Sequence, residues 1–592
     1  MGVGRFVLGR HGGANDRNGV EPDSVELYHR TYTTLLRSSG ETHLRVLESS
    51  HRSMHSSLHP GAADEQLDLG AFLYAVRRLP DGILGAELVL LGQDREVFAA
   101  AGVDVSGWRD AEAAARRRHW FDSGTGTLGV LLSSASDVDD LVPTLVAFQI
   151  EWNKLHARLR TSRSTRSPAG ASEAAEAVGG PPEDWLTLAE TWGSGFAERL
   201  QAIADHRLDM RIRMLGGSHI GYARLTRNWW TPAHLCLLEE QLAERPVYFV
   251  SSNSHSLANL TTGIARDREA ELIGYVENDG ADDLREELTA FREGRTSGSW
   301  ENFLYFVARD YFDATAQRSS ERRRAERAAG LIHLPARTSL RVPVQIIPLE
   351  RLLPERIDPR LGEVDAARLR RSQAVIANID YPLGLAAYNI LREVAIDVEN
   401  LQGVYLLGKA ATLNADVGDV MISNVVYDEH TGTTFWLDNA FSFSDIQPDL
   451  RFGTGLDNQR AVTVRSTFLQ NRTYLDVYYR EAFTVIEMEA GPYCSAVYEI
   501  ANLERHPMGE AVNFAKLPID FGLIHYASDT PFTQARTLGA RGLSYFGMDS
   551  TYAASLAILR RVFQLEGILP DSRPDGAVSL APPVGRSGHT DP

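Results

Sequence analysis

Short apolar runs that end in polar or acidic residues recur along the chain, and each is followed by a stretch with apolar positions at helical spacing. Three such strand-then-helix units stand in the first half. They are 86–91, then 128–133 running into a helix over 137–159, then 247–252 running into a helix over 256–265. Ser136 or Asp137 suits the cap of the second helix, and His156 and Arg158 suit its last turn. From 24 to about 60 the pattern is helical and polar. His51, His55 and His59 recur there at four-residue spacing. With no acidic or cysteine companion at fixed spacing, they read as a solvated helix face rather than a metal site. Residues 161–184 are rich in Ser, Gly, Ala and Pro and read as a disordered insertion; the Pro-, Gly- and Ser-rich end beyond 569 reads as a disordered tail. The expected organisation is a helical segment over 1–60, an α/β domain over 61–340, a second α/β domain over 341–568, and the tail over 569–592.

Composition narrows the function. At 592 residues, 43% hydrophobic and 23% charged, the chain suits two or three globular cores. No run of about 20 apolar residues occurs, so no membrane span is expected. Residues 1–10 lack a signal-peptide core, and Arg10-His11-Gly12 opens a Gly-rich terminus read as flexible. Cys236 and Cys494 cannot build a disulfide framework and have no metal-ligand spacing, which fits a reducing cytoplasm. A net charge of −18 argues against a nucleic-acid partner. An anionic small molecule would need a local basic pocket. No cofactor or metal is expected.

The chemistry concentrates in Thr484-Val485-Ile486-Glu487-Met488-Glu489-Ala490-Gly491-Pro492-Tyr493. An apolar strand over 484–486 runs into two carboxylates; Gly491 permits a turn, and Pro492 suits the start of a helix over 493–503. Strand alternation puts Glu487 and Glu489 on one face and Met488 on the other. A carboxylate that leaves water costs roughly several kcal/mol unless hydrogen-bonded. Sugar hydroxyls are one suitable partner; a strand that has simply reached solvent is the alternative. Similar strand ends follow the same rule elsewhere. Residues 374–380 end at Asp380, before Tyr381-Pro382-Leu383-Gly384 and a helix over 385–394. Residues 403–411 carry Gly408-Lys409-Ala410-Ala411, followed by a Val417-Gly418-Asp419-Val420 turn. A strand over 461–469 carries Arg465 and Phe468, and 523–529 ends in Ser528-Asp529.

In this order, over about 370–566, these motifs resemble the nucleoside phosphorylase and nucleosidase superfamily, most of all the methylthioadenosine/adenosylhomocysteine nucleosidases. The resemblance implies an α/β protein. Its C-terminal part would be a nucleoside-phosphorylase-like three-layer domain with a mixed central sheet, preceded by a large α/β N-terminal region as in AMP nucleosidase. It implies a purine nucleosidase that hydrolyses a nucleoside or nucleotide and assembles as a homo-oligomer. Asp529, oriented by Ser528, would protonate the departing base. Glu489, with Glu487 beside it, would hold the ribose hydroxyls, and Met488 would pack on the sugar. Phe468 would stack on the purine or fill the core, and Asp380 would orient water or close a turn. Gly384 stands where an arginine grips phosphate in the phosphorylases, which leaves water as the nucleophile. Arg465 could supply that grip, and Lys409 could bind an anion or pair with an acid. A phosphate-dependent phosphorylase and a non-catalytic nucleoside sensor or scaffold stay open as alternatives.

Overall fold

The computed structural model describes residues 23–38, 40–161, 168–336, 338–502, 505–530 and 545–570. The Gly-rich start (1–22) and nearly all of the expected tail (571–592) lie outside the described residues. The first sheet contains β1 (Thr42–His43), β2 (Leu88–Gly92), β3 (Arg109–Ala113), β4 (Arg116–Asp122), β5 (Thr127–Leu131) and β6 (Arg211–Met214), in the order β1-β6-β2-β5-β4-β3. Interior β2 pairs in parallel with β5 and β6. Its sequence, LVLLG, is apolar throughout because both faces are covered. The hairpin β3–β4 lies at the edge, where charged residues are tolerated. Helix Ala135–Thr161 packs on this sheet, and Trp120, Phe148, Trp152 and Trp185 fill the core.

The second sheet has eleven strands. They are β7 (Val247–Ser252), β8 (Ile332–Leu334), β9 (Val344–Pro348), β10 (Val375–Asp380), β11 (Leu401–Thr412), β12 (Val420–Asp428), β13 (Thr433–Trp436), β14 (Gly455–Thr463), β15 (Val485–Glu487), β16 (Ala511–Asn513) and β17 (Asp520–Asp529). The order is β16-β13-β12-β14-β15-β11-β7-β10-β9-β8, with β17 bridging β11 and β12. Strands β11, β17, β12, β14 and β15 thereby close into a ring. Period-2 alternation divides the cores. Val247 and Phe249 face one set of apolar residues with Trp230, Leu391 and Val497, while Tyr248 and Val250 face another with Phe303 and Leu559. Helices therefore cover both faces.

Three expectations about organisation change. The strand over 247–252 forms where its pattern indicates, but it lies between β10 and β11, so a boundary at 341 would cut through this sheet. The stretch expected to be disordered over 161–184 holds the helix Ala171–Val178, whose Ala-rich turns propagate well, and the start of the helix Pro182–Trp192, which buries Trp185 and Leu188 just beyond it. His51 and His59 are buried rather than solvated. His51 Nε2 lies 3.0 Å from His59 Nδ1, and His59 Nε2 lies 2.7 Å from Glu151 Oε1. The acidic companion stands far along the chain, beyond the reach of any spacing rule.

The two sheets meet at the turn after β10. Gly384 has φ +53°, and a Cβ there would stand 2.6 Å from the Cβ of Ser136, at the start of the long helix. The Ser136 hydroxyl accepts a hydrogen bond from the Leu385 amide at 2.9 Å. Arg117 of β4 pairs with Asp380 at 2.8 Å. Both the left-handed backbone and the close approach demand glycine here. Gly384→Ala should lower unfolding free energy by about 1–3 kcal/mol in urea titration. An unchanged midpoint would contradict this packing.

Candidate active site

Carboxyl ends of strands in α/β sheets are where ligands ordinarily sit. Here the ends of β10, β11, β15 and β17 converge on a cavity of about 740 Å³, a volume suited to a small molecule. Tyr381 to Leu383, Gly408 to Ala411, Ile486 to Glu489, and Ser528 form one wall. The N-terminal part forms the opposite wall with Tyr74, Arg78, Asp137 and the hairpin segment Glu112 to Arg118.

The acidic stretch is built by a helix start. Helix Ala490–Ala501 begins earlier than Pro492 suggested, because the Glu487 carboxylate satisfies its first amides. Glu487 Oε2 accepts from the Glu489 and Ala490 amides at 2.6 Å, and Thr463 donates its hydroxyl to Oε1. Burial, then the charge of Glu489, pushes the Glu487 carboxyl up to about 8. Glu489 is half-buried on the cavity wall and accepts from the Gly384 amide at 3.2 Å. Burial pushes its carboxyl up to about 7, against the opposing pull of that amide and of Arg116. Neighbouring His525 is buried and pushed down to about 3, hence neutral, with Nε2 4.0 Å from Glu487.

The facing wall carries arginines that no motif had marked. Arg116 forks onto Asp140 at 2.8 and 3.0 Å. Arg118 bridges Asp137 at 2.8 Å and Asp140 at 2.7 Å. Although burial alone would raise it, this pair of guanidiniums holds the Asp140 carboxyl well below the usual range. The only local signal was three successive arginines in a strand pattern.

Of the residues singled out in the sequence, Gly408, Lys409, Glu487, Met488, Glu489 and Ser528 line this cavity together. Asp529 follows Ser528 but is fully buried and lies behind the wall. Asp380 is engaged by Arg117, beside the cavity rather than on it. The strand expected over 461–469 ends at Thr463. The chain then turns to the N-terminal part, carrying Arg465 to Glu26 at 3.0 Å and Phe468 into a buried cluster with Leu58, Tyr74 and Ala147. Phe468 therefore fills core, its ring 5.2 Å from that of Tyr74, and Arg465 does not line the cavity. Among the described residues no set of three His, Cys, Asp or Glu side chains is arranged to hold a metal, and no helix is long and apolar enough to cross a membrane.

The fold is α/β, with a ligand-sized cavity at the strand ends of its larger sheet. Residues 44–564 match a family described as a family of unknown function, DUF6909, and the chain belongs to that family. No match is found among curated proteins. Solved structures align over about a third of the chain. A 5′-methylthioadenosine/S-adenosylhomocysteine nucleosidase from Colwellia psychrerythraea 34H, in complex with adenine, covers 33% of this chain and 81% of its own at 14% identity and a TM-score of 0.26. The corresponding enzyme from S. pneumoniae with a transition-state inhibitor covers 32% and 83% at 15% identity and 0.25. A methylthioadenosine phosphorylase from an antarctic soil metagenomic library covers 34% and 74% at 10% identity and 0.25. Likeness at this level fixes neither reaction nor substrate.

The raised carboxyls make a pH prediction. Glu487 binds its proton more readily folded than unfolded, so its charging costs stability as pH climbs from 4.5 to about 8. Melting temperature should fall between pH 5 and about pH 8, and Glu487→Gln should reduce that fall. An identical pH profile in the variant would contradict the assignment.

Proposed function

We propose that the chain hydrolyses the N-ribosidic bond of a purine nucleoside or nucleotide and releases the free base. One observation carries this reading: acidic and small-residue strand ends, distant in sequence, converge on one cavity with Glu489 on its wall. We assign the nucleoside-phosphorylase-like architecture to the second sheet and its two helical layers. Cleavage develops positive charge on the sugar and negative charge on the departing base. Glu489, poised near neutrality, suits the sugar side, where it accepts from ribose hydroxyls or takes a proton from water. Met488 packs on the sugar. Ser528, on the cavity wall, takes the base side, and Asp529, buried behind it, is the acid whose proton passes to the departing base through the Ser528 hydroxyl. Asp380, held by Arg117, keeps the turn after β10 in place.

Incubating the full chain with purine nucleosides and nucleotides in phosphate-free buffer should release free base. Asp529→Asn should slow release by about 10²–10⁴-fold while ligand binding persists. Glu489→Gln separates the two sugar-side roles. A lower kcat at constant KM marks proton transfer, and a raised KM marks ribose binding. Absence of base release from every substrate, or undiminished release by Asp529→Asn, overturns the proposal.

A further inference from the structure

Arginines around the cavity fall into two groups. Arg116, Arg117, Arg118 and Arg341 each pair with a carboxylate. Arg78 does not: it is 4% exposed, lines the cavity, and has no acidic partner among the described residues. Its guanidinium lies 3.4 Å from the centre of the Tyr74 ring and donates to the Tyr74 carbonyl at 3.1 Å. Its Nε has no hydrogen-bond partner. Two further buried groups on the same cavity are unsatisfied, the Tyr74 hydroxyl and Gln470 Oε1. Lys409, exposed on the cavity wall, likewise has no acidic partner among the described residues. The Asp140 carboxylate acts on Arg78 only from a distance and is already shared by Arg116 and Arg118. A buried cation without an anion of its own is costly, and stacking on Tyr74 fixes the plane of the guanidinium without neutralising it.

We propose that this cavity takes a phosphate group at Arg78, with Lys409 on the facing wall as the second unpaired cation that the ligand meets. Donors from a guanidinium, an ammonium and a phenol outnumber what the two oxygens of a carboxylate can accept, whereas phosphate offers three terminal oxygens. Burial lowers Arg78 only to about 10, so it is charged at neutral pH. With a net charge of −18, the chain does not attract anions generally, and local unpaired cations are the means of holding one. The phosphate is either the 5′ group of a nucleotide or free orthophosphate. This inference rests on the nucleosidase reading only for the nucleoside portion of the ligand.

Calorimetry on the full chain with adenosine, its 5′-monophosphate and inorganic phosphate tests the subsite. At least one phosphate ligand should bind, and Arg78→Met and Lys409→Met should each weaken it by about tenfold to a hundredfold. Preference for the monophosphate over adenosine assigns the group to the nucleotide; inorganic phosphate that binds together with adenosine assigns it to orthophosphate. Either result supports the subsite. Circular dichroism checks folding, and exposed Lys409→Met carries the test if Arg78→Met does not fold. Failure of both phosphate ligands to bind, or wild-type binding by the folded variants, overturns it. Phosphate binding that the variants lose, with no base released from any substrate, keeps the subsite and removes the nucleosidase reading. Base release from adenosine, with neither phosphate ligand bound, does the reverse.

Discussion

The cavity depends on the clamp between the basic strand β4, in the edge hairpin of one sheet, and the carboxyl ends of the other. Arg116 and Arg118 share Asp140, and Arg117 between them reaches across to Asp380. Alternation along β4 explains the division of labour: Arg116 and Arg118 point to one side and Arg117 to the other. The Arg118 pairs with Asp137 and Asp140 are buried, and losing one partner from such a network costs about 3–5 kcal/mol, because the remaining charge is stranded. The orientation of the strand is therefore fixed, and with it one wall of the cavity.

On the opposite wall the constraint is the start of a helix. Glu487 is consumed by backbone amides and the Thr463 hydroxyl, which leaves Glu489 as the acidic group open to the cavity. The two acids differ in role although they are separated by one residue. The glycine after Pro382-Leu383 acquires a physical reason as well: Ser136 occupies the space that a side chain at 384 would need. Positive charge at the cavity then comes from Arg78, in the other part of the chain, and from Lys409.

Much of the second sheet was legible in local pattern. Apolar runs ending in polar residues marked β7, β10, β11, β15 and β17, because buried strands are apolar until they emerge. The convergence of Gly408, Met488, Glu489 and Ser528 followed from the order of strand ends. What local pattern could not express was long-range pairing. Val247–Ser252 reads as a strand anywhere, and only its partners β10 and β11 decide which sheet receives it. Nor does a strand-like run over 461–469 reveal that the segment after Thr463 is drawn away by Glu26 and by the rings of Tyr74, His51 and His59. The His59–Glu151 contact and the arginines of β4 were hidden for the same reason.

The central claim is that a single ligand cavity is walled by both sheets. Hydrogen exchange of the full chain with and without a purine nucleotide measures this directly. Slowed exchange at two separate places, the amides of 112–118 and those of 486–491, is the result this account predicts. Protection confined to one of them, or found only away from both, would contradict it.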